Sequence, residues 1–348
     1  VTARLHVDLK ALAANLDRVR ATVAPAALML VVKDDAYGHG LEPVVRTAAD
    51  AGVSWFGAFD VRTGAAVRAV VGPGPRIFAW IAASRDDLDT AISADLDLGI
   101  GDAELLEELV DAAHAAGSMV RVHLKIDTGL HRNGVRPEAW PAFVRRAAQL
   151  QVDGVIDVVG VWSHIAEASD AEDDEARAVF EAALREAGAA GIQPSVRHLA
   201  ASAAAFARPG FRYDMVRVGA FCYGIRSAGG PSADELRLRP VARWEAEVTA
   251  VEPAGVRVGI GALDGLPSSL GGLAVVGTPA GGRRLDVVAD SHALVEAWPG
   301  AAVGDTVTVF GPGTHGEGSS TDLAELIGTI GEEIAVRVSP LVPRVHSH

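Results

Sequence analysis

The chain holds only three lysines, Lys10, Lys33 and Lys125, against 28 arginines. An arginine stays protonated in proteins, whereas a lysine can be shifted to a neutral, nucleophilic amine. A lysine kept against such a bias marks a place where an amine is needed. Lys33 closes the apolar run Ala27-Leu28-Met29-Leu30-Val31-Val32 and opens Asp34-Asp35-Ala36-Tyr37-Gly38-His39-Gly40. That is where a Schiff-base lysine would sit, at the mouth of a strand. Later apolar runs end on further reactive types: Lys125-Ile126-Asp127-Thr128-Gly129-Leu130-His131-Arg132, then Ser163-His164, then Ala200-Ala201-Ser202, then Arg217 followed by Gly219-Ala220. Taken singly, each has a plain structural reading. Lys33 is a solvated charge, His164 a satisfied histidine, Ser202 a helix cap, and Arg132 and Arg217 ion-pair partners. Taken together they recur at the same end of successive strands, which is where an active site collects.

Those strands belong to a repeating pattern. Short apolar runs fall near Leu28–Val32, Trp55–Phe59, Arg76–Ile81, Leu96–Ile100, Val120–Ile126, Val158–Ser163, Val196–Leu199 and Met215–Val218. Between them lie helix-patterned stretches such as Asp102–Ala116 and Asp170–Ala190, with acidic residues in the first turn. Strand alternating with helix predicts a parallel sheet, and eight units predict an α/β fold: an N-terminal (β/α)8 TIM barrel. After Pro231 the texture changes to short β-rich runs separated by Gly and Pro: Val241–Val251, Arg257–Ile260, Leu273–Val276, Leu285–Val288, Ala293–Ala297, Thr306–Phe310 and Ile334–Val338. One helix interrupts them near Thr321–Ile327. The expected organisation is a barrel over 1–235 and an all-β domain over 236–348.

In such barrels the chemistry sits at the C-terminal ends of the strands, and the loops after strands seven and eight often hold phosphate. Ser202 and the backbone N–H groups after Gly219 would supply that site. An amine on the first strand and a phosphate site at the last two point to a phosphorylated aldehyde cofactor, pyridoxal 5'-phosphate.

Composition removes other classes. A net charge of −14 argues against a nucleic-acid partner. No apolar stretch is long enough to span a bilayer, and the opening Val1-Thr2-Ala3-Arg4 does not read as a secretory signal. The single cysteine, Cys222, excludes an internal disulfide and any multi-cysteine metal site, and a reducing cytoplasm is the expected location. No resident metal is expected.

These motifs resemble the alanine racemase family along nearly the whole chain. Val31-Val32-Lys33-Asp34-Asp35-Ala36-Tyr37-Gly38-His39-Gly40 resembles the family's VVKANAYGHG, and Lys125–Arg132 its KxDTGMxR. His198-Leu199-Ala200-Ala201-Ser202-Ala203-Ala204 is similar to HxxNSAA, Val216–Gly219 to VRxG, and Val342-Pro343-Arg344 to the end of RVPR. The resemblance implies a homodimer with shared active sites, acting on a small amino acid. It implies that Lys33 holds pyridoxal phosphate and acts as an acid/base. Tyr37, Ser202, Gly219 and Ala220 would hold the phosphate. Arg132 would reach the cofactor's phenolic oxygen and the substrate carboxylate, with Lys125, carbamylated in some relatives, behind it. Arg217 would face the pyridine nitrogen, backed by His164.

The same resemblance exposes a departure. The family's second base is a tyrosine in GYxDGYPR, supplied by the β domain of the partner subunit. Here the matching stretch is Gly261-Ala262-Leu263-Asp264-Gly265-Leu266-Pro267, and the only tyrosines are Tyr37, Tyr213 and Tyr223. The family's MD pair reads Ala289-Asp290, and the Asn of NSAA reads Ala201. Ala262, Ala289 and Asp290 would therefore line the substrate. With one base replaced, three expectations arise. The first is altered Cα/Cβ chemistry, such as a retro-aldol or aldol reaction of a β-hydroxy amino acid with His164 as base, since histidine titrates near neutrality. The second is racemisation through another base, with His164, His292 and His315 as candidates. The third is an inactive cofactor-binding homologue.

Overall fold

A computed structural model describes residues 2–167 and 169–348. The chain divides into two compact units. One takes Val19–Lys33 and Gly52–Gly219; the other takes the chain up to Arg18, Asp34–Ala51 and Ala220–His348.

The first unit is a closed barrel of eight parallel strands: Ala27–Val31, Trp55–Asp60, Arg76–Ile81, Asp97–Ile100, Val120–Lys125, Ile156–Trp162, Val196–His198 and Met215–Val218. They match the expected strands within one or two residues at most ends. Their near-continuous apolar character follows from burial on both faces. Four of the helices between them begin on side-chain caps that satisfy otherwise orphaned N–H groups. Asp60 accepts from Thr63 N, Ser84 from Asp87 N, Asp102 from Leu105 N and Ser169 from Glu172 N. Helix Asp170–Ala189 starts and ends where the acidic first turn and apolar spacing place it.

The second unit carries one eight-stranded sheet in the order Gly255–Val258, Ala293–Val295, Gly281–Val288, Val275–Thr278, Thr306–Phe310, Ala242–Glu252, Ala3–Asp8 and Arg344–Ser347. Residues alternate between buried and less buried along Ala242–Val248 and along Ala3–Asp8, as one-faced packing requires. Two features differ from expectation. Ile334–Val338 is not a strand; Gly331–Arg337 is helical, with Glu332 and Glu333 in its first turn and Ile334 and Ala335 packed inward. Adjacent Ile and Ala read equally well as a short strand or one helical turn, and the acidic first turn decides for helix. The two terminal strands also escape the sequence reading. Ala3–Asp8 pairs antiparallel with Ala242–Glu252, and Arg344–Ser347 pairs parallel with Ala3–Asp8. The units are thus discontinuous in sequence and differ from a 1–235/236–348 division. Among the described residues no helix is long and apolar enough to cross a membrane.

Candidate active site

In the barrel unit the predicted residues gather at the C-terminal ends of the strands. Lys33 stands two residues beyond Ala27–Val31, Lys125 ends Val120–Lys125, His164 follows Ile156–Trp162 by two residues, and Arg217 lies within Met215–Val218. Ser202 opens the short helix Ser202–Ala207, with Ala201 in the capping position. Ser202 is therefore the first helical residue rather than the cap.

Arg217 is the centre of this group. It is buried, and its Nη2 donates to Ser163 O at 2.8 Å and Leu199 O at 3.1 Å and lies 3.3 Å from His164 Nδ1. Its Nη1 lies 3.0 Å from His198 Nδ1. Every partner is neutral, and among the described residues no carboxylate comes within ion-pair distance, so Nε–H and one Nη1–H remain uncommitted. Burial pushes its pKa down to about 9, with the repulsion of Arg132 adding to this and Glu167 opposing it. It is still cationic at neutral pH.

Trp162 presents its ring to two cations: Lys125 Nζ at 4.5 Å and Arg217 Cζ at 5.0 Å from the centroid. Lys125 is buried, and desolvation together with Arg217 and Arg132 lowers its pKa to about 8, against the attraction of Asp127. Its amine is thus far more available as a nucleophile than a surface lysine. Arg132 is exposed on the next loop, which Asp127 shapes by accepting from Gly129 N and His131 N.

His164 corrects one expectation. Nη2 has two N–H groups for three acceptors, so His164 Nδ1 shares one of them with a carbonyl; because Arg217 can only donate, Nδ1 faces it as an acceptor and the ring proton sits on Nε2. Burial and the charges of Arg217, Arg132, Lys125 and Lys33 push its pKa down to about 3. A histidine with its lone pair occupied and a cationic surround is not the near-neutral base expected for removing a hydroxyl proton.

An anion already occupies the helix N-terminus that the sequence marks for phosphate. Glu167 Oε1 accepts from Ala204 N at 3.0 Å. This stand-in carboxylate, the excess of cations around His164 and the unpaired Arg217 fit an anionic cofactor with a ring-nitrogen acceptor.

In the second unit, the residues after Lys33 form an unusual turn. Asp34, Asp35, Ala36 and Tyr37 all have φ near +55°, a left-handed turn that costs roughly 1–2 kcal/mol per residue for L-amino acids. Gly38 N donates to Asp34 O, Leu41 N donates to Asp35 Oδ1, and Arg344 Nε donates to Gly38 O. Gly38 must lack a side chain: a Cβ would meet Ala335 O at 2.9 Å, and φ is +78°. Tyr37 is buried against Tyr223, with ring centroids 4.9 Å apart, and burial and Glu332 raise the pKa of its phenol. Ala220 is buried at the start of the turn Ala220–Tyr223, directly after Gly219.

The expected substrate-facing residues also come together within this unit. Ala262 N donates to Ala289 O and Leu263 N to Asp290 O, both at 2.9 Å, and Gly261 lacks the Cβ that would strike both carbonyls. Ala262, Leu263 and Asp290 are exposed, with Leu263 at 76%. His292 lies in the same hairpin, and its carbonyl accepts from Ala289 N. His315 is exposed in a different loop, where its N–H donates to Glu317. Leu266 is buried in the domain core and does not face solvent. Sequence reading missed Asp97, His123 and Trp162. Their signals were a carboxylate and an imidazole inside apolar strand runs, and an indole one residue before Ser163-His164.

A parallel barrel with a lysine, an arginine and a histidine at its strand ends, and a separate β sheet, fits the class of barrel enzymes that work through an aldehyde cofactor. The chain belongs to the alanine racemase family. The family's N-terminal domain matches residues 7–227. An alanine racemase of Beutenbergia cavernae is 40% identical, over 99% of this chain and 97% of the relative, and one of Frankia casuarinae is 37% identical over 97% and 94%. The solved alanine racemase of Streptomyces coelicolor superposes with a TM-score of 0.95 at 33% identity, covering 100% of this chain and 98% of that one. Enzymes of this family use pyridoxal 5'-phosphate.

Proposed function

We propose that this protein is a pyridoxal-phosphate enzyme of the alanine racemase type in which proton transfer at Cα runs mainly through one face of the substrate. The observation that carries the reading is the tyrosine inventory: Tyr37, Tyr213 and Tyr223 are the only ones, and Ala262 stands at the exposed tip where the family places its second base. Pyridoxal phosphate, when bound, supplies the electron sink that acidifies the Cα–H of an amino acid. Lys33 holds it and moves a proton at Cα on one side. Arg132 binds the substrate carboxylate. Arg217 would donate to the ring nitrogen and, as a permanent donor, would keep that nitrogen unprotonated. Tyr37, Ser202, Gly219 and Ala220 take the phosphate. Ala262, Ala289 and Asp290 form an open substrate wall contributed across a homodimer, which also accounts for the exposure of Leu263. Lys125, with its lowered pKa, would add carbon dioxide and release a proton to form a carbamate, whose negative charge the nearby Arg217 and Arg132 would stabilise; 13C-bicarbonate labelling would give a carbamate signal that is lost in Lys125→Ala.

A second reading, retro-aldol cleavage of a β-hydroxy amino acid, is favoured by the space that Ala262 leaves for a longer side chain. The state of His164 counts against it, because that reaction needs a base for the hydroxyl proton. Incubating the pyridoxal-phosphate-loaded protein with a panel of amino acids in deuterated water separates the readings. Cα deuteration without inversion supports the first, aldehyde release the second. Absence of any visible cofactor band that depends on Lys33 would overturn both.

A further inference from the structure

Arg217 ends a line of buried polar groups that crosses the barrel interior and that no step above uses. His198 Nε2 lies 2.8 Å from His123 Nδ1, and His123 Nε2 lies 3.1 Å from Asp97 Oδ2. At its far end Asp97 is bound by Arg121 Nε at 2.7 Å and by Arg76. Asp97, His123 and His198 are all fully buried. Apolar branched side chains dominate the interior of such barrels, and a buried polar group is costly unless bonded.

The direction of every bond follows from elementary chemistry. A guanidinium only donates, so His198 accepts at Nδ1 and carries its proton on Nε2. That N–H donates to His123 Nδ1, so His123 also carries its proton on Nε2 and donates it to Asp97. Burial opposes a charge on Asp97, but the bonds from His123, Arg76 and Arg121 outweigh it and hold the carboxyl at about 2. Burial pushes both imidazoles down and keeps them neutral. One arrangement satisfies all four side chains, running from the Arg217 cation through two neutral rings to the Asp97 anion.

The backbone makes room for it. The pairing of Val120–Lys125 with Ile156–Trp162 shifts by one residue at His123, which faces Gly160. A Cβ on Gly160 would lie 2.2 Å from His123 Nδ1. A bulge with a glycine is the usual device for opening such a seat. Phe78 packs against the His123 ring at 4.6 Å, and Trp162 stacks on His198 with 3° between the planes.

We propose that His123 and Asp97 are positioning residues for Arg217. They lock His198 in the tautomer that accepts from Arg217, which fixes the rotation of the guanidinium and keeps its remaining N–H groups aimed as donors. The consequence for the cofactor rests on the reading of Arg217 given under Proposed function; the tautomers do not. Without an acceptor at His123 Nδ1, His198 Nε2–H would be stranded in a dry interior. The opposite tautomer would then turn an N–H toward Arg217.

Long-range 15N NMR of the full chain labelled in histidine, recorded before and after addition of pyridoxal phosphate, tests the chain directly. Two neutral imidazoles protonated at Nε2 and lost in His123→Asn and His198→Asn respectively are expected. An Nδ1–H tautomer or an imidazolium at His198 in the unmutated protein overturns the proposal. The Kd for pyridoxal phosphate and the visible absorption band give the second readout. His123→Leu removes the acceptor and is expected to weaken binding about tenfold and shift the band, whereas His123→Asn keeps an acceptor near the Nδ1 position and stays within about threefold. Equal weakening in both variants, or no change in either, overturns the positioning role. If the unmutated protein bound no pyridoxal phosphate, the functional reading would fall while the tautomers would still decide the chain.

Discussion

His164 Nδ1 lies 3.3 Å from Nη2 of Arg217, and this contact fixes what the histidine can do. Its lone pair faces a group that never accepts, and burial with four nearby cations holds its pKa at about 3. His164 therefore stays neutral throughout the physiological range. The rate of Cα deuteration should show no step near pH 6.5 that belongs to His164. A step in that region present in the native protein and absent in His164→Gln would contradict this.

Ala262 sits exposed on a turn whose backbone bonds to Ala289 and Asp290, so a larger side chain can be carried there without displacing the core. Ala262→Tyr is expected to restore a second proton-transfer group. Such groups are worth about 10²–10⁴ in rate. Inversion of alanine, followed by chiral chromatography, should rise by about that range while Cα deuteration on the Lys33 side changes little. An inversion rate unaltered by the substitution would argue that the missing phenol is not what limits racemisation.

Three buried histidines, His39, His123 and His198, and the half-buried His164 make the fold acid-sensitive. Burial lowers the pKa of His39 to about 4 and that of His164 to about 3, and lowers those of His123 and His198. The unfolded chain titrates these rings near 6.5 and so binds more protons than the folded chain below that pH. Their contribution is present above pH 6.5 and is lost as pH falls below it; for His39 and His164 the loss runs at about 1.4 kcal/mol per pH unit toward pH 4, and His123 and His198 act in the same direction. Asp97 stays ionised in this window, since its carboxyl is held at about 2. Denaturant melts at pH 7.5, 6.5 and 5.5 should show a flat upper interval and a steep loss below. Equal stability at 6.5 and 5.5 would contradict the neutral-ring assignment.

Glu167 occupies the N–H of Ala204 that an incoming phosphate would use. The carboxylate must leave, or share the site with a like charge, when pyridoxal phosphate binds. Glu167→Ala should tighten cofactor binding several-fold in a spectroscopic titration, about the value of one hydrogen bond released for use. Weaker binding in that variant would place the phosphate elsewhere.

The barrel was legible because most of its strands are buried runs of apolar residues and several of its helices announce themselves with a cap, as Asp102 and Ser169 do. The terminal strands Ala3–Asp8 and Arg344–Ser347 were not, because strands hundreds of residues apart in sequence pair only once the fold exists. Gly331–Arg337 was too short for its period to separate helix from strand. At the site, Lys33 stood out through its rarity and Arg217 through its motif. The state of His164 was hidden, because residue type gives an ordinary pKa and only the surrounding cations give the actual one. Asp97 and His123 were hidden for the same reason: a polar residue in an apolar strand acquires meaning only when its partner across the barrel is known.

In the proposed function Lys33 exchanges the Cα proton while no equivalent group answers it from the opposite face. The most direct measurement follows Cα deuteration and optical inversion together, for L- and D-alanine separately, with the pyridoxal-phosphate-loaded protein in deuterated water. One enantiomer is expected to be deuterated at least about 10²-fold faster than it is inverted, and both signals are expected to vanish in Lys33→Ala. Inversion keeping pace with deuteration from both enantiomers would contradict it.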